Sequence, residues 1–130
     1  MNNLDEIKKM VTGDKFARFT GIVLEEMGEG KAVATVVINE DHHNGLGIVQ
    51  GGLYFTLADY AFAAASNSRG KTAVAIQCSI NFFRAVKEGK LTAIAEEKSC
   101  TNRISNYDVK IYNEKKELVA SYNGTAFRKD

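Results

Sequence analysis

Hydrophobic and polar residues follow two different rhythms along this chain. Residues 4–12 place Leu4, Ile7, Met10 and Val11 at the spacing of an amphipathic helix, and Gly13 stands where that helix should end. Two strands are predicted next, over 17–27 (Phe19, Ile22, Val23, Leu24, Met27) and 31–39 (Val33, Thr35, Val36, Val37, Ile38), joined by the tight link Gly28-Glu29-Gly30. Residues 40–49 are rich in Asn, Asp, His and Gly and read as a loop. From Gln50 to Asn67 apolar side chains occupy every side, the mark of a buried helix. It opens on Gly51-Gly52 and closes at Asn67-Ser68-Arg69-Gly70.

Beyond that helix the period becomes two. Residues 72–83 form a long strand rich in β-branched and aromatic residues, turned by Lys87-Glu88-Gly89-Lys90. In 91–99, Leu91, Ala93 and Ala95 share one face and Ile94 lies on the other. In 105–112, Tyr107, Val109 and Ile111 alternate with Asn106, Asp108 and Lys110, as in a half-exposed antiparallel strand. Residues 113–117 make a hairpin loop, and 118–127 are the last strand. Short connections suit antiparallel pairing. One sheet buries an all-apolar helix only by curling around it or by closing with a second sheet. The expectation is an α+β fold, a strongly curved antiparallel sheet around one central helix. No linker or repeat divides the chain, so residues 1–130 read as one domain, with the N-terminal helix inside 1–13. The outer side of the central helix, still apolar, predicts a partner subunit.

Composition narrows the function classes. A net charge of +1 gives no excess that would point to nucleic acid or a membrane surface, and 45% hydrophobic with 25% charged residues is ordinary for a soluble protein. The start of the chain lacks a signal peptide's apolar core, so a cytoplasmic location is expected. Cys78 and Cys100 have no metal-ligand spacing and read as buried free thiols. Adjacent His42 and His43 make a poor metal pair and read as exposed loop residues, so no metal is expected. Neither a nucleophile elbow nor a phosphate-binding glycine loop is present.

Asp59 stands alone in the middle of the apolar helix, and a lone buried carboxylate is costly unless paired, solvated or used. Gly51 and Gly52 either ease the turn into the helix or open its N-terminal N–H groups to a ligand oxygen, as an oxyanion hole. Eight residues separate Gly51 from Asp59, about 12 Å along a helix axis, too far for both to act on one carbon within one chain. Two antiparallel copies of the helix would bring Gly51 of one subunit opposite Asp59 of the other, giving two equivalent sites across a two-fold axis. The other reading of Asp59 is a structural hydrogen bond. Asn44 is either a turn residue of its Asn-Gly pair or an amide that orients water or a carbonyl. Arg84, Lys98, Arg103 and Arg128 fall near strand ends, as solvated termini or as phosphate ligands.

Asn44-Gly45, Gly51-Gly52, Phe55-Thr56-Leu57-Ala58-Asp59, Ala61-Phe62-Ala63 and Asn67-Ser68 together resemble the hotdog-fold acyl-CoA thioesterases of the phenylacetic-acid-degradation (PaaI-like) type. Ser79-Ile80-Asn81-Phe82-Phe83-Arg84 is similar to that family's long strand after the helix, and Phe127-Arg128 fits its last strand; the likeness spans roughly residues 15–128. The resemblance implies a six-stranded sheet wrapped around the central helix and an active site at a dimer interface. It implies that Gly51 supplies the oxyanion N–H, that Asn44 helps hold the thioester carbonyl or the water, and that Asp59 of the partner is general base or nucleophile. It also implies homotetramers built from two dimers, and neither metal nor cofactor, coenzyme A being part of the substrate. The family usually has His where this chain has Gln50, Pro at Ala85, and in some relatives a hydroxyl residue at Ala75.

The expected reaction is hydrolysis of an acyl-CoA thioester to free acid and CoA, with Asp59, Gly51, Asn44 and Gln50 at the reacting centre. Gly52, Tyr54, Phe55, Leu57 and Phe62 are expected around the acyl group, and Arg84, Lys98 and Arg103 near the nucleotide phosphates. Aromatic acyl groups follow from the family alone. Two rivals share the fold: a non-catalytic acyl-CoA-binding or regulatory module, and a dehydratase of acyl thioesters. Gln50 and the lack of a helix histidine count against the dehydratase.

Overall fold

A computed structural model describes residues 3–129; in the sequence-based reading, Met1, Asn2 and Asp130 lie outside the described residues. Helix α1 (Asn3–Thr12) ends where its pattern predicts, the Gly13 N–H donating to the Lys9 and Met10 carbonyls. The predicted strand over 17–27 is corrected in its first part. Residues Lys15–Thr20 form a second short helix, α2, and β1 covers only Val23–Gly28. The cause is capping at both ends. Asp14 Oδ1 accepts the Ala17 N–H at 3.0 Å, and Gly21 takes a left-handed φ of 87° that turns its own N–H and that of Ile22 back onto the helix carbonyls. The apolar residues Phe16 and Phe19 on α2 face outward, Phe19 being 87% exposed.

The hairpin follows as predicted, with β2 spanning Lys31–Val37. A 3₁₀ turn (Glu40–His42) interrupts the loop before the central helix α3 (Gly51–Asn67). The remaining strands are β3 (Thr72–Phe82), β4 (Lys90–Cys100), β5 (Ile104–Tyr112) and β6 (Leu118–Lys129). All six join one antiparallel sheet in the order β1-β2-β4-β5-β6-β3.

Helix α3 touches every one of the six strands. Strands spaced about 4.8 Å apart make a sheet roughly 24 Å wide, whereas a helix is about 10 Å across, so the sheet must curl around it. Small residues permit the close approach: Ala32, Ala34, Ala93 and Ala95 on the sheet, and Ala58, Ala61, Ala64 and Ala65 on the helix, are all fully buried. This is the hotdog architecture expected above. The C-terminal end of α3 is tied down by side chains. Asn67 accepts the Ala73 N–H at 2.9 Å, Ser68 accepts the Gly30 N–H at 2.7 Å, and Arg69 bridges Glu29 and Glu97. Glu97 also accepts from the Tyr107 hydroxyl, whose pKa burial pushes up to about 12.

Two surfaces stay open. One side of α3 keeps Gly52, Phe55, Thr56, Asp59 and Ala63 at least partly exposed. Among the described residues strand β3 pairs only with β6, which leaves its other edge open, and Val74, Ile76 and Phe82 are 43%, 58% and 52% exposed along it.

Candidate active site

The start of α3 is built by Gln50. With extended backbone (φ −71°, ψ 138°) it is the N-cap, and its side-chain oxygen accepts the Gly52 N–H. Its carbonyl accepts the Leu53 N–H at 2.9 Å. Gln50 therefore spends its acceptor on the helix, and its amide N–H₂ has no partner among the described residues. The Gly51 N–H has no hydrogen-bond partner among the described residues. It is one of the orphan donors of a helix start, where the helix dipole favours negative charge.

Gly51 itself lines a cleft of about 390 Å³, together with Ile48, Val49, Tyr54, Phe82, Phe83, Arg84 and Ala85. Phe82 lies 3.4 Å from the place where a Cβ on Gly51 would sit, and its ring is 5.6 Å from that of Tyr54. The cleft is thus aromatic, with one backbone donor at its edge. The Tyr54 hydroxyl is buried toward the Val86 backbone without ordinary hydrogen-bond geometry, and burial raises its pKa. Arg84 stands at the cleft with Glu117 at 3.4 Å.

The loop before the helix is held in place. Asn44 Oδ1 accepts the N–H groups of Leu46 and Ile48 at 2.8 and 3.3 Å, so its carbonyl shapes the turn. Its amide nitrogen has no partner among the described residues. The expectation of an exposed His42 is corrected: its ring is buried, with 8% of the residue exposed. Its Nδ1 accepts the Asn39 N–H at 3.0 Å, leaving Nε2–H to donate to the Thr20 carbonyl at 2.8 Å. Its backbone carbonyl accepts the Gln50 N–H at 2.9 Å, so His42 links α2 to the start of α3. His43 bonds the Lys87 carbonyl instead.

Asp59 lies two turns down the same helix on its open side. The Tyr122 hydroxyl donates to its Oδ1 at 2.9 Å, and Oδ2 has no partner among the described residues. Burial raises the pKa of Asp59, the Tyr122 hydrogen bond opposes that rise, and the negative Asp14 adds to it. Tyr122 itself is pushed well above the usual tyrosine range, first by burial and then by the charge of Asp59. Tyr122, Phe82 and Phe83 are not among the site residues the sequence predicts, although Phe82 and Phe83 lie in the strand that carries part of the resemblance. Alternation in β6 could place Tyr122 on the inner face, but only register brings it to a residue 63 positions earlier.

Other expected site residues are dispersed. Phe62 and Leu57 are core residues, 2% and 0% exposed, and Phe62 packs on Tyr107 and Tyr122 instead of lining the cleft. Phe55 lies on the open side of α3 with its ring edge-on to Tyr122. Lys98 pairs with Asp108 at 3.5 Å and Arg103 lies 6.0 Å over the Phe127 ring. Both stand at the end of the sheet away from Gly51. The thiols of Cys78 and Cys100 are free but only half-buried. Among the described residues no three His, Cys, Asp or Glu side chains gather as a metal site would need, and no helix is long and apolar enough to cross a membrane.

The acyl-coenzyme A thioesterase PaaI of Escherichia coli K12 is 38% identical over 120 residues, which cover 92% of this chain and 86% of that protein. The solved structure of the E. coli PaaI protein from the phenylacetic acid degradation operon superposes with a TM-score of 0.93 at 35% identity, over 98% of this chain and 94% of the other. A mutant of the phenylacetic acid degradation protein PaaI from Thermus thermophilus gives 0.86 at 36% identity, over 89% and 100%. The sequence profile of the thioesterase superfamily matches residues 46–120, from the loop before α3 into the start of β6. That match takes in both Gly51 and Asp59, and with the identities above it shows that the chain belongs to the thioesterase superfamily.

Proposed function

We propose that this chain hydrolyses an acyl-CoA thioester to a free carboxylic acid and CoA, at a site shared between two copies. The observation that carries the reading is Gly51 at the head of α3, which lines an aromatic cleft and whose N–H has no partner among the described residues. The thioester carbonyl oxygen accepts from this N–H, which holds the negative charge that grows as the carbon is attacked. Asp59 of the second copy supplies the carboxylate. Its free Oδ2 either takes a proton from the attacking water or attacks the carbon itself, the water then opening the anhydride. In both routes the C–S bond breaks and CoA leaves as the thiolate and takes up a proton; water's oxygen ends in the acid by the general-base route, and in the acid or in Asp59 by the anhydride route, according to which carbonyl carbon the water attacks. The Asn44 and Gln50 amide groups, whose N–H₂ groups have no partner among the described residues, are the further donors this reading assigns to the carbonyl or the water.

The open edge of β3 and the open side of α3 support a two-fold dimer, because pairing along β3 would cover both. Antiparallel helices in that dimer carry Lys98 and Arg103 of one copy toward Gly51 of the other, as ligands for the nucleotide phosphates. Exposed Phe16 and Phe19 on α2 offer apolar surface for pairing dimers into a tetramer. An aromatic acyl group suits the walls formed by Tyr54 and Phe82, and the relatives from phenylacetic acid degradation point the same way. The proposed location is the cytoplasm, where acyl-CoA is made and used.

The test is a panel of acyl-CoAs, aromatic and straight-chain, followed by release of free thiol. Release is expected for at least one acyl class, and Asp59→Asn should abolish it. Binding without release across the whole panel would leave a non-catalytic module and refute the proposal.

A further inference from the structure

We propose that Tyr122 is a positioning residue for the reaction: its hydroxyl fixes Oδ1 of Asp59 and leaves Oδ2 as the reacting oxygen. This rests on the reading of Asp59 as the reacting carboxylate. A free carboxylate rotates broadly about its last torsion and presents either oxygen. Here one oxygen is taken at 2.9 Å by a donor that belongs to the sheet, while the carboxylate belongs to the helix.

The donor itself cannot follow a moving carboxylate. Tyr122 is fully buried, and β6 is paired on both sides, with Val109 of β5 and Ile80 of β3 opposite this residue. Phe55 meets its ring edge-on at 5.6 Å and Phe62 tilts against it at 5.7 Å. The groups that face the pair are few. Asp14, before α2, acts on Asp59 as a like charge, and the Cys78 thiol of β3 lies beside the Tyr122 hydroxyl. Burial and Asp14 both favour a protonated Asp59, and the Tyr122 hydrogen bond is the influence that favours the charged form. A protonated Asp59 can neither take a proton from water nor attack carbon, so the hydroxyl extends the competence of the site toward acid pH.

The experiment compares wild type with Tyr122→Phe, which removes one oxygen and keeps the ring. Kinetics of thiol release are measured from acid to mildly alkaline pH, alongside the titration of the ¹³C-labelled Asp59 carboxyl by NMR. Loss of a hydrogen bond to a charged group predicts a fall in kcat of about tenfold at neutral pH with KM unchanged. Both the acid limb of the rate profile and the carboxyl titration should move to higher pH. A fluorinated tyrosine placed at 122 is a stronger donor of nearly the same size, and should move both to lower pH, which keeps the test open if Tyr122→Phe fails to fold. An unmoved limb and titration in these variants, with Asp59→Asn inactive, would overturn the positioning role alone. If Asp59→Asn retained wild-type turnover, the reading of Asp59 as the reacting group would fall, whatever Tyr122 does to its titration.

Discussion

Gly124→Ala is a small change that the packing makes expensive. A Cβ at position 124 would meet three atoms of the Phe62 ring at 2.7, 2.9 and 2.9 Å. Ordinary carbon contacts lie near 3.5–4.0 Å, so the ring would have to retreat by close to an ångström. It has nowhere to go: Phe62 is 2% exposed, with Tyr107 at 5.6 Å and Tyr122 at 5.7 Å between centroids. Overpacking of this kind costs about 1–3 kcal/mol. The stiffer backbone of alanine in a strand returns about 0.5–1 kcal/mol. The net expectation is a loss of about 1 kcal/mol. For a chain of 130 residues the unfolding entropy is about 0.27 kcal/mol/K, so the melting temperature should fall by about 4 °C. Calorimetry of wild type and variant at pH 7 reads this directly. Adding Phe62→Leu should make the double variant less unstable than the sum of the single losses, by about 1 kcal/mol or more. An unchanged or higher melting temperature for Gly124→Ala would refute the account of how α3 meets β6.

Asp59→Asn should raise the melting temperature at pH 7. The pKa of Asp59 is raised in the fold, mainly by burial, so ionising it opposes folding once pH passes its unfolded value. The gain should vanish well below the ordinary carboxylate range, where both states of the wild type are protonated, and a gain that persisted there would contradict the cause. His42→Ala should destabilise by about 2 kcal/mol, because the Asn39 N–H and the Thr20 carbonyl both lose their partner. Faster amide exchange at Gln50 and Ile48 should accompany it, and unchanged exchange would show that His42 does not hold the loop. Gly51→Pro removes the N–H at the first helical position, where proline is well accepted, and the extended backbone of Gln50 already suits a following proline. It should fold as wild type does and lose about 10²–10³ in kcat, as removal of an oxyanion donor does elsewhere.

Much of the fold was legible because inner and outer rows alternate cleanly. Tyr107, Val109 and Ile111 are buried as their period demanded, and Gly51 and Gly70 bracket α3. Residues 17–20 read as strand because Phe19 runs on into Ile22, Val23 and Leu24, while the signals that decide for a helix are polar or conformational: Asp14 ahead and Gly21 behind. The backbone half of the candidate site was legible too, since Gly51 and Asp59 share one helix and a fixed rise. What sequence could not provide was rotation and register. Phe62 and Phe55 are both apolar residues of α3, yet the roll of the helix sends one into the core and leaves the other at the surface. Tyr122 meets Asp59 only because β6 is threaded between β5 and β3.

The central claim is that one active site takes Gly51 from one copy and Asp59 from another. Two inactive variants, Gly51→Pro and Asp59→Asn, can be unfolded together in equal amounts and refolded. A mixed dimer then holds one site with both groups intact and one with neither. Random pairing makes about half the dimers mixed, so about a quarter of wild-type activity should return, with each variant refolded alone staying inactive. No recovery in a mixture shown to contain mixed dimers would contradict the shared site.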